Sequence, residues 1–397
     1  MPAQSGHPAS DTVPGPARDR AGLAAAPLLV VKVGSSSLTD PAGFLAPARL
    51  EALVDALAGR AARGGHTVLV SSGAQAAGMG PMGLAARPRH LAEAQAAASV
   101  GQGLLMAHYT EAFARHGLVA GQVLLTPGDV VHRSRYSNAR RALRALLARG
   151  IVPVVNENDA VATDEIRFGD NDRLAALVAH IVRADGLVLL TDIDGLYTAP
   201  PSHAAARLVA RVDSAADLAG LEISGRGSAV GTGGMRAKIQ AAGLATSSGI
   251  PVFLTAARLA ASALDPATPA SEVPGTFFAA TGARLSPKRL WLGYAAAPRG
   301  RLTVDEGAAR AITVGKKSLL AVGVTGVDGD FGAGEPVEVA GPDGHVIARG
   351  LAGYPASDMA QVAGLTLDEI AARLGRDRAV EAIHRDELVT HARARRP

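Results

Sequence analysis

The chain has no cysteine among its 397 residues, which excludes disulfides, thiolate nucleophiles and zinc–cysteine sites together. Aromatic residues are nearly as scarce, with seven Phe, five Tyr and one Trp. Ala, Val and Leu must therefore fill the interior, and broad base-stacking surfaces are hard to build. Long apolar runs are missing too: a membrane-spanning helix needs about 20 consecutive apolar residues, and the nearest approach, the stretch from Ala21, ends at Lys32. Arg18 and Arg20 ahead of that stretch imitate an export signal, but no small-residue cleavage site with a polar mature start follows. Lysine is rare as well. Of 40 basic residues only Lys32, Lys238, Lys288, Lys316 and Lys317 are lysine.

What is present suits a globular protein with one large core and a second, smaller one, since 48% of residues are hydrophobic and 19% charged. Residues 1–26, rich in Ala, Pro, Gly and Asp, read as a disordered leader. The formal charge is +4, yet from Arg299 onward 13 basic residues face 14 acidic ones. That balance gives the C-terminal part no electrostatic footprint for tight RNA binding. The closing Arg393-Ala394-Arg395-Arg396 is a solvated end.

Six apolar runs of strand length punctuate the first two thirds: 28–33, 67–70, 119–125, 151–155, 187–190 and 251–254. Continuous runs fit strands buried on both faces. Helical spacing separates them, as in Leu50, Leu53, Val54 and Leu57, or in Leu174, Leu177, Val178 and Ile181. Strands alternating with helices predict a largely parallel α/β sheet. Beyond Pro298, alternating segments at 301–304, 318–324, 335–340 and 345–351 with glycine turns predict a small β-barrel-like domain.

Ligands of parallel sheets bind outside the carboxyl ends of the strands, and the loops expected there are polar and glycine-rich. They are Gly34-Ser35-Ser36-Ser37, Ser71-Ser72-Gly73-Ala74, Asn156-Glu157-Asn158-Asp159 and Thr191-Asp192, with Gly231-Thr232-Gly233-Gly234-Met235-Arg236-Ala237-Lys238 opening a helix. The only two lysines before residue 288 stand beside such loops. Compact ammonium groups on flexible stems can follow a moving phosphoryl group. Free backbone N–H groups and a helix N-terminus suit phosphate. The pattern is neither a P-loop nor a dinucleotide fingerprint. Asp170 and Asp172, in Gly169-Asp170-Asn171-Asp172, could cap a helix, and carboxylates there could equally hold an ammonium group, position a lysine or help bind Mg²⁺ through water. The sequence leaves these duties open. The histidines form no metal-ligand spacing, and Ser72 is not in a G-x-S-x-G elbow; a donor to a substrate carboxylate fits it better.

Taken together, Val31-Lys32-Val33-Gly34-Ser35, Val70-Ser71-Ser72-Gly73-Ala74, the run from Val155 through Thr163, Gly169 to Asp172, Leu190-Thr191-Asp192 and Gly231 to Met235 resemble the amino-acid kinase family, specifically its members that phosphorylate the side-chain carboxylate of glutamate. The region from Arg299, with Thr303 to Ala308 and His384-Arg385-Asp386, resembles a PUA domain. The resemblance implies a three-layer αβα sandwich with a mostly parallel central sheet at 27–290, a linker at 291–298, the PUA domain at 299–385 and a basic tail at 386–397. It implies that Lys32 and Gly34 contact ATP phosphates, and that Ser72, Asp159 and Asn171, with Asn156, bind glutamate. Thr191, Asp192 and the segment Thr232, Gly233, Gly234, Met235, Arg236, Ala237 and Lys238 would bind the nucleotide, with Lys238 at the transferring phosphate and Asp170 orienting both lysines. ATP and Mg²⁺, proline as feedback inhibitor acting near 160–168, a homo-oligomer, a cytoplasmic location and the opening of proline biosynthesis belong to the same expectation. Kinases acting on N-acetylglutamate, aspartate or a nucleotide, and an inactive RNA-binding relative, are the competing readings.

Overall fold

The computed structural model describes residues 16–88, 90–126, 129, 133–160, 171–203, 205–218, 221, 234–281 and 298–390. An eight-stranded sheet has the order β3-β4-β2-β1-β5-β7-β8-β6. Its strands are β1 (Leu28–Val33), β2 (His66–Ser71), β3 (Ala120–Leu125), β4 (Val152–Glu157), β5 (Gly186–Thr191), β6 (Arg211–Val212), β7 (Val252–Ala256) and β8 (Thr276–Phe278). Every pairing is parallel except β7 with β8. All six apolar runs are strands, and β4, β5 and β7 are buried along their whole length, whereas β3 at the sheet edge is mostly half-buried. The short strands β8, paired between β7 and β6, and β6, at the sheet edge, have no counterpart among the six runs because two- and three-residue strands show no period.

Helices cover both faces: α1 (Arg20–Ala25), α2 (Ser35–Leu38), α3 (Pro47–Ala62), α4 (Ala74–Met79), α5 (Leu91–Ala114), α6 (Arg133–Leu147), α7 (Asn171–Val182) and α8 (Met235–Ser247). One core layer joins Val30 and Val68 to Leu174, Leu177, Ala241 and Leu244 of α7 and α8. The other joins Leu29 and Val31 to Leu53 and Leu57 of α3 and to Leu105 and Phe113 of α5. These are the outer layers of a three-layer sandwich.

The expected leader is partly structured. Residues 20–25 form α1, whose N-cap Asp19 accepts from the Gly22 N–H, and Leu23 is fully buried. Arg20 is buried because its guanidinium donates to the carbonyls of Ser262, Asp265 and Thr268, which compensates its desolvation. Residues 1–15 lie outside the described residues, as do most of the expected linker and the Arg393–Arg396 end.

The C-terminal unit is a five-stranded sheet of order β10-β9-β11-β12-β13, with β9 (Gly300–Val304), β10 (Val324–Gly329), β11 (Pro336–Ala340), β12 (Val346–Leu351) and β13 (Leu388–Thr390). Residues 318–323 are not the strand expected: only Leu319 makes an isolated bridge, to Ile383, before a short 3-10 turn. Residues 388–390, expected in the tail, pair with β12.

Helices α4 and α5 cross at two glycines. A Cβ built on Gly101 would stand 1.8 Å from the Ala74 carbonyl oxygen and 2.4 Å from the Gly78 nitrogen, both backbone atoms that cannot swing away. Gly101→Ala therefore forces the helices apart despite alanine's better helix propensity. The expected cost is about 1–3 kcal/mol, read as a lower denaturant midpoint; an unchanged midpoint contradicts this packing.

Candidate active site

Strand alternation places Val30 and Lys32 on the face of β1 that α7 and α8 cover. Lys32 is the next-to-last residue of its strand, so its side chain stands at the carboxyl end of the sheet. The first turns of the covering helices bring in Asp172, second residue of α7, and Lys238, fourth residue of α8. Lys32 Nζ lies 2.6 Å from Asp172 Oδ1 and Lys238 Nζ lies 3.0 Å from Asp172 Oδ2. Lys32 is 3% exposed, Lys238 8% and Asp172 0%. Residues 206 positions apart in sequence thus share one carboxylate in one cleft. Gly34 follows directly, and a Cβ there would come 3.6 Å from Lys32 Nζ, so the glycine keeps the approach to the ammonium open.

Burial alone would raise the Asp172 carboxyl, but the two ammonium groups outweigh that cost and hold it well below its ordinary value of 3.8. Its place in the first turn of α7 adds the favourable end of a helix dipole. The carboxylate that bridges the lysines is Asp172; Asp170, expected in that role, lies outside the described residues, as do Thr232 and Gly233. The sequence offered Asp172 only as an alternative to Asp170, because spacing cannot say which carboxylate turns inward.

A second polar group forms one position earlier. Asn171 Nδ2 donates to the Ser71 carbonyl at 3.1 Å, to Ser72 Oγ at 2.9 Å and to Asn156 Oδ1 at 2.9 Å. Asn171 thereby ties the loop after β2 to the end of β4. Gly73, in the left-handed region at φ +106°, turns that loop into α4, a conformation that favours glycine. Beside this group lies a cavity of about 320 Å³ lined by Ala74, Ser99, Gln102, Glu157 and Asp159 among others. The Arg87 guanidinium lies near enough to Asp159 to feel its charge. Gln102 was not singled out in the sequence; it is one polar residue in an alanine-rich helix and carries no motif.

At the end of β5, the buried Thr191 donates its hydroxyl to Asp192 at 2.8 Å. Gly234 is the N-cap of α8 in extended conformation, and Met235, Arg236 and Ala237 form its first turn ahead of Lys238. Of the expected residues that are described, Lys32 and Lys238 converge on Asp172 with Gly34 beside Lys32, while Ser72, Asn156 and Asn171 form the amide group. Asp159 borders the cavity, and Thr191 and Asp192 stand at the neighbouring strand end. Among the described residues no cluster of three His, Asp or Glu could hold a metal, and no helix is long and apolar enough to cross a membrane.

Two ammonium groups and two helix N-termini thus meet at the carboxyl end of a parallel sheet. The model of the amino acid kinase family matches residues 27–256, and that of the PUA domain matches residues 300–374. The chain belongs to the amino acid kinase family and carries a C-terminal PUA domain. Over nearly its whole length it is similar to proteins named glutamate 5-kinase. That of Streptomyces coelicolor is 54% identical over 362 residues, covering 91% of this chain and 96% of that protein. That of Salinispora arenicola is 52% identical, covering 94% and 99%, and that of Bifidobacterium longum 51%, covering 95% and 99%.

Asp172→Asn leaves two buried ammonium groups without the carboxylate that pairs them, an expected loss of about 3–5 kcal/mol in equilibrium unfolding. Because the Asp172 pKa is lower folded than unfolded, its contribution is complete above its ordinary value of 3.8 and fades as pH falls below it. The stability of the parent should therefore drop in that acid range more steeply than that of Asp172→Asn. Parallel acid profiles for the two proteins would contradict the arrangement.

Proposed function

We propose that the protein transfers the γ-phosphoryl group of ATP to the side-chain carboxylate of L-glutamate, giving L-glutamyl 5-phosphate and ADP, the first step of proline biosynthesis. The single observation that carries this reading is the pair Lys32 and Lys238 on one buried carboxylate, beside an amide group suited to an amino acid. Identity above 50% over nearly the full length of relatives named for this activity supports it.

The acceptor needs no general base. A glutamate γ-carboxylate, with a reference pKa of about 4.3, is ionised at neutral pH and can attack phosphorus directly. The work left is positioning and neutralisation of two anions that must meet. Lys32 and Lys238 supply that neutralisation. A primary ammonium has three N–H donors, so contact with Asp172 is compatible with contact to phosphoryl oxygens. Asp172 holds the two nitrogens at a fixed separation, so both are in place before the transition state forms.

On the acceptor side the donor pattern is directional. The two hydrogens of the Asn171 NH₂ group are shared among three protein acceptors within 3.1 Å; its Oδ1 is the atom that remains to accept from a substrate ammonium group. Ser72 Oγ accepts from Asn171, which leaves its own hydrogen to donate to a carboxylate. Asp159 adds negative charge on the cavity side for the ammonium. Thr191, Asp192 and the first turn of α8 hold the nucleotide. Mg²⁺ would arrive with the nucleotide and add to the neutralisation of its phosphates, while both Asp172 oxygens are already engaged by lysine. Proline shares the ammonium and carboxylate of glutamate and would compete for Ser72, Asn171 and Asp159; the expected inhibitor loop falls mostly at 161–168, outside the described residues.

ADP release with glutamate as acceptor, in the presence of hydroxylamine to trap the labile acyl phosphate, tests the reaction; N-acetylglutamate and aspartate serve as competing acceptors. Turnover restricted to either competitor overturns the reading. Lys238→Ala should lower kcat by about 10²- to 10³-fold, the scale of losing one preorganised charge-stabilising donor, with little change in the KM for glutamate. Near-parent turnover by that variant contradicts the role of Lys238.

A further inference from the structure

Two polar side chains of helix α5 reach the acceptor loops. Gln102 and Tyr109 are seven residues apart, two helical turns or about 10 Å along one face. Gln102 Oε1 accepts from Asn156 Nδ2 at 2.9 Å. Tyr109, fully buried, pairs its hydroxyl with Ser71 Oγ at 2.8 Å. Gly101, beside Gln102, is what lets α5 sit close enough to α4 for this reach.

The bonds have a fixed direction. Asn156 gives its NH₂ to Gln102, so its Oδ1 faces the Glu157 N–H at 2.9 Å and Asn171 Nδ2. The opposite orientation of the Asn156 amide would set donor against donor at both places. Asn171 must then turn its NH₂ inward and its Oδ1 outward. On the neighbouring loop the Ser71 hydroxyl donates to the Ser72 carbonyl at 2.9 Å, so the Tyr109 hydroxyl must be the donor to Ser71. Burial pushes the Tyr109 phenol up, which keeps it a donor across the working pH range.

We propose that Gln102 and Tyr109 are positioning residues that set the hydrogen-bond polarity of the acceptor pocket, so that Asn171 Oδ1 meets an ammonium group and the Ser72 hydroxyl meets a carboxylate. The inference rests on the glutamate reading above and goes beyond it. It explains how a pocket built from amides, which could turn either way, selects an amino acid over the same diacid without its amino group. Tyr109 cannot touch the substrate, and its action is through Ser71 and Ser72.

The test compares the KM for glutamate with the inhibition constant of glutarate, which has the same carbon chain and both carboxylates but no ammonium group. In the full-length parent glutarate is expected to bind much more weakly. Gln102→Leu removes the acceptor that orients Asn156, and Tyr109→Phe removes one oxygen with the ring kept. Each is expected to narrow the glutarate-to-glutamate ratio at least fivefold by raising the KM for glutamate, with the KM for ATP within twofold of the parent. Gln102→Glu keeps an acceptor oxygen opposite Asn156 and is expected to retain at least the parent ratio. Should Gln102→Leu fail to fold, Tyr109→Phe decides alone. A ratio within twofold of the parent in the folded variants, with or without a lower Tm, overturns the proposal. A parent that releases no ADP with glutamate overturns the glutamate reading itself, and this inference falls with it.

Discussion

The cleft depends on one carboxylate that is kept from water and shared by two ammonium groups. Lysine is poorly placed in a protein interior unless its charge is met, and here a strand and a helix each deliver one lysine to the same acid. The two ammonium groups keep Asp172 ionised despite its burial. Much of the surrounding architecture serves that meeting, because β1 fixes one nitrogen, α8 the other, and α7 carries the acid between them.

The same turn of α7 divides the labour of the site. Asp172 pairs with the two lysines, while Asn171, one residue earlier, bonds the loop after β2 and the end of β4. Successive residues at a helix start point about 100° apart, so two adjacent side chains reach two different clusters. One helix start therefore fixes the separation of the lysine cluster and the amide cluster more firmly than two independent loops could.

Sequence reading went far where a period or a rare residue carried the message. The six long strands were legible because unbroken apolar runs report burial on both faces, and Lys32 and Lys238 stood out in a chain that otherwise uses arginine. It went less far where the signal is three-dimensional. Asp172 and Asp170 are interchangeable in a one-dimensional pattern. Gln102 and Tyr109 matter through the direction of single hydrogen bonds, which spacing does not encode. Helix α1 was hidden in a composition that imitates a loose leader, since what orders it is a set of carbonyls more than 240 residues away. The stretch at 318–323 has strand-like residues but lies where the chain turns, and tertiary context overrides propensity there.

That remote anchoring of α1 has a bearing on how the chain is made. Arg20 emerges from the ribosome long before Ser262 and Asp265, its eventual hosts. At about 5–20 residues per second, the newborn N-terminus waits on the order of 10–50 s with no seat for its guanidinium. Throughout that interval the first helix is open to chaperones and proteases, and its docking is among the last events that close the kinase domain.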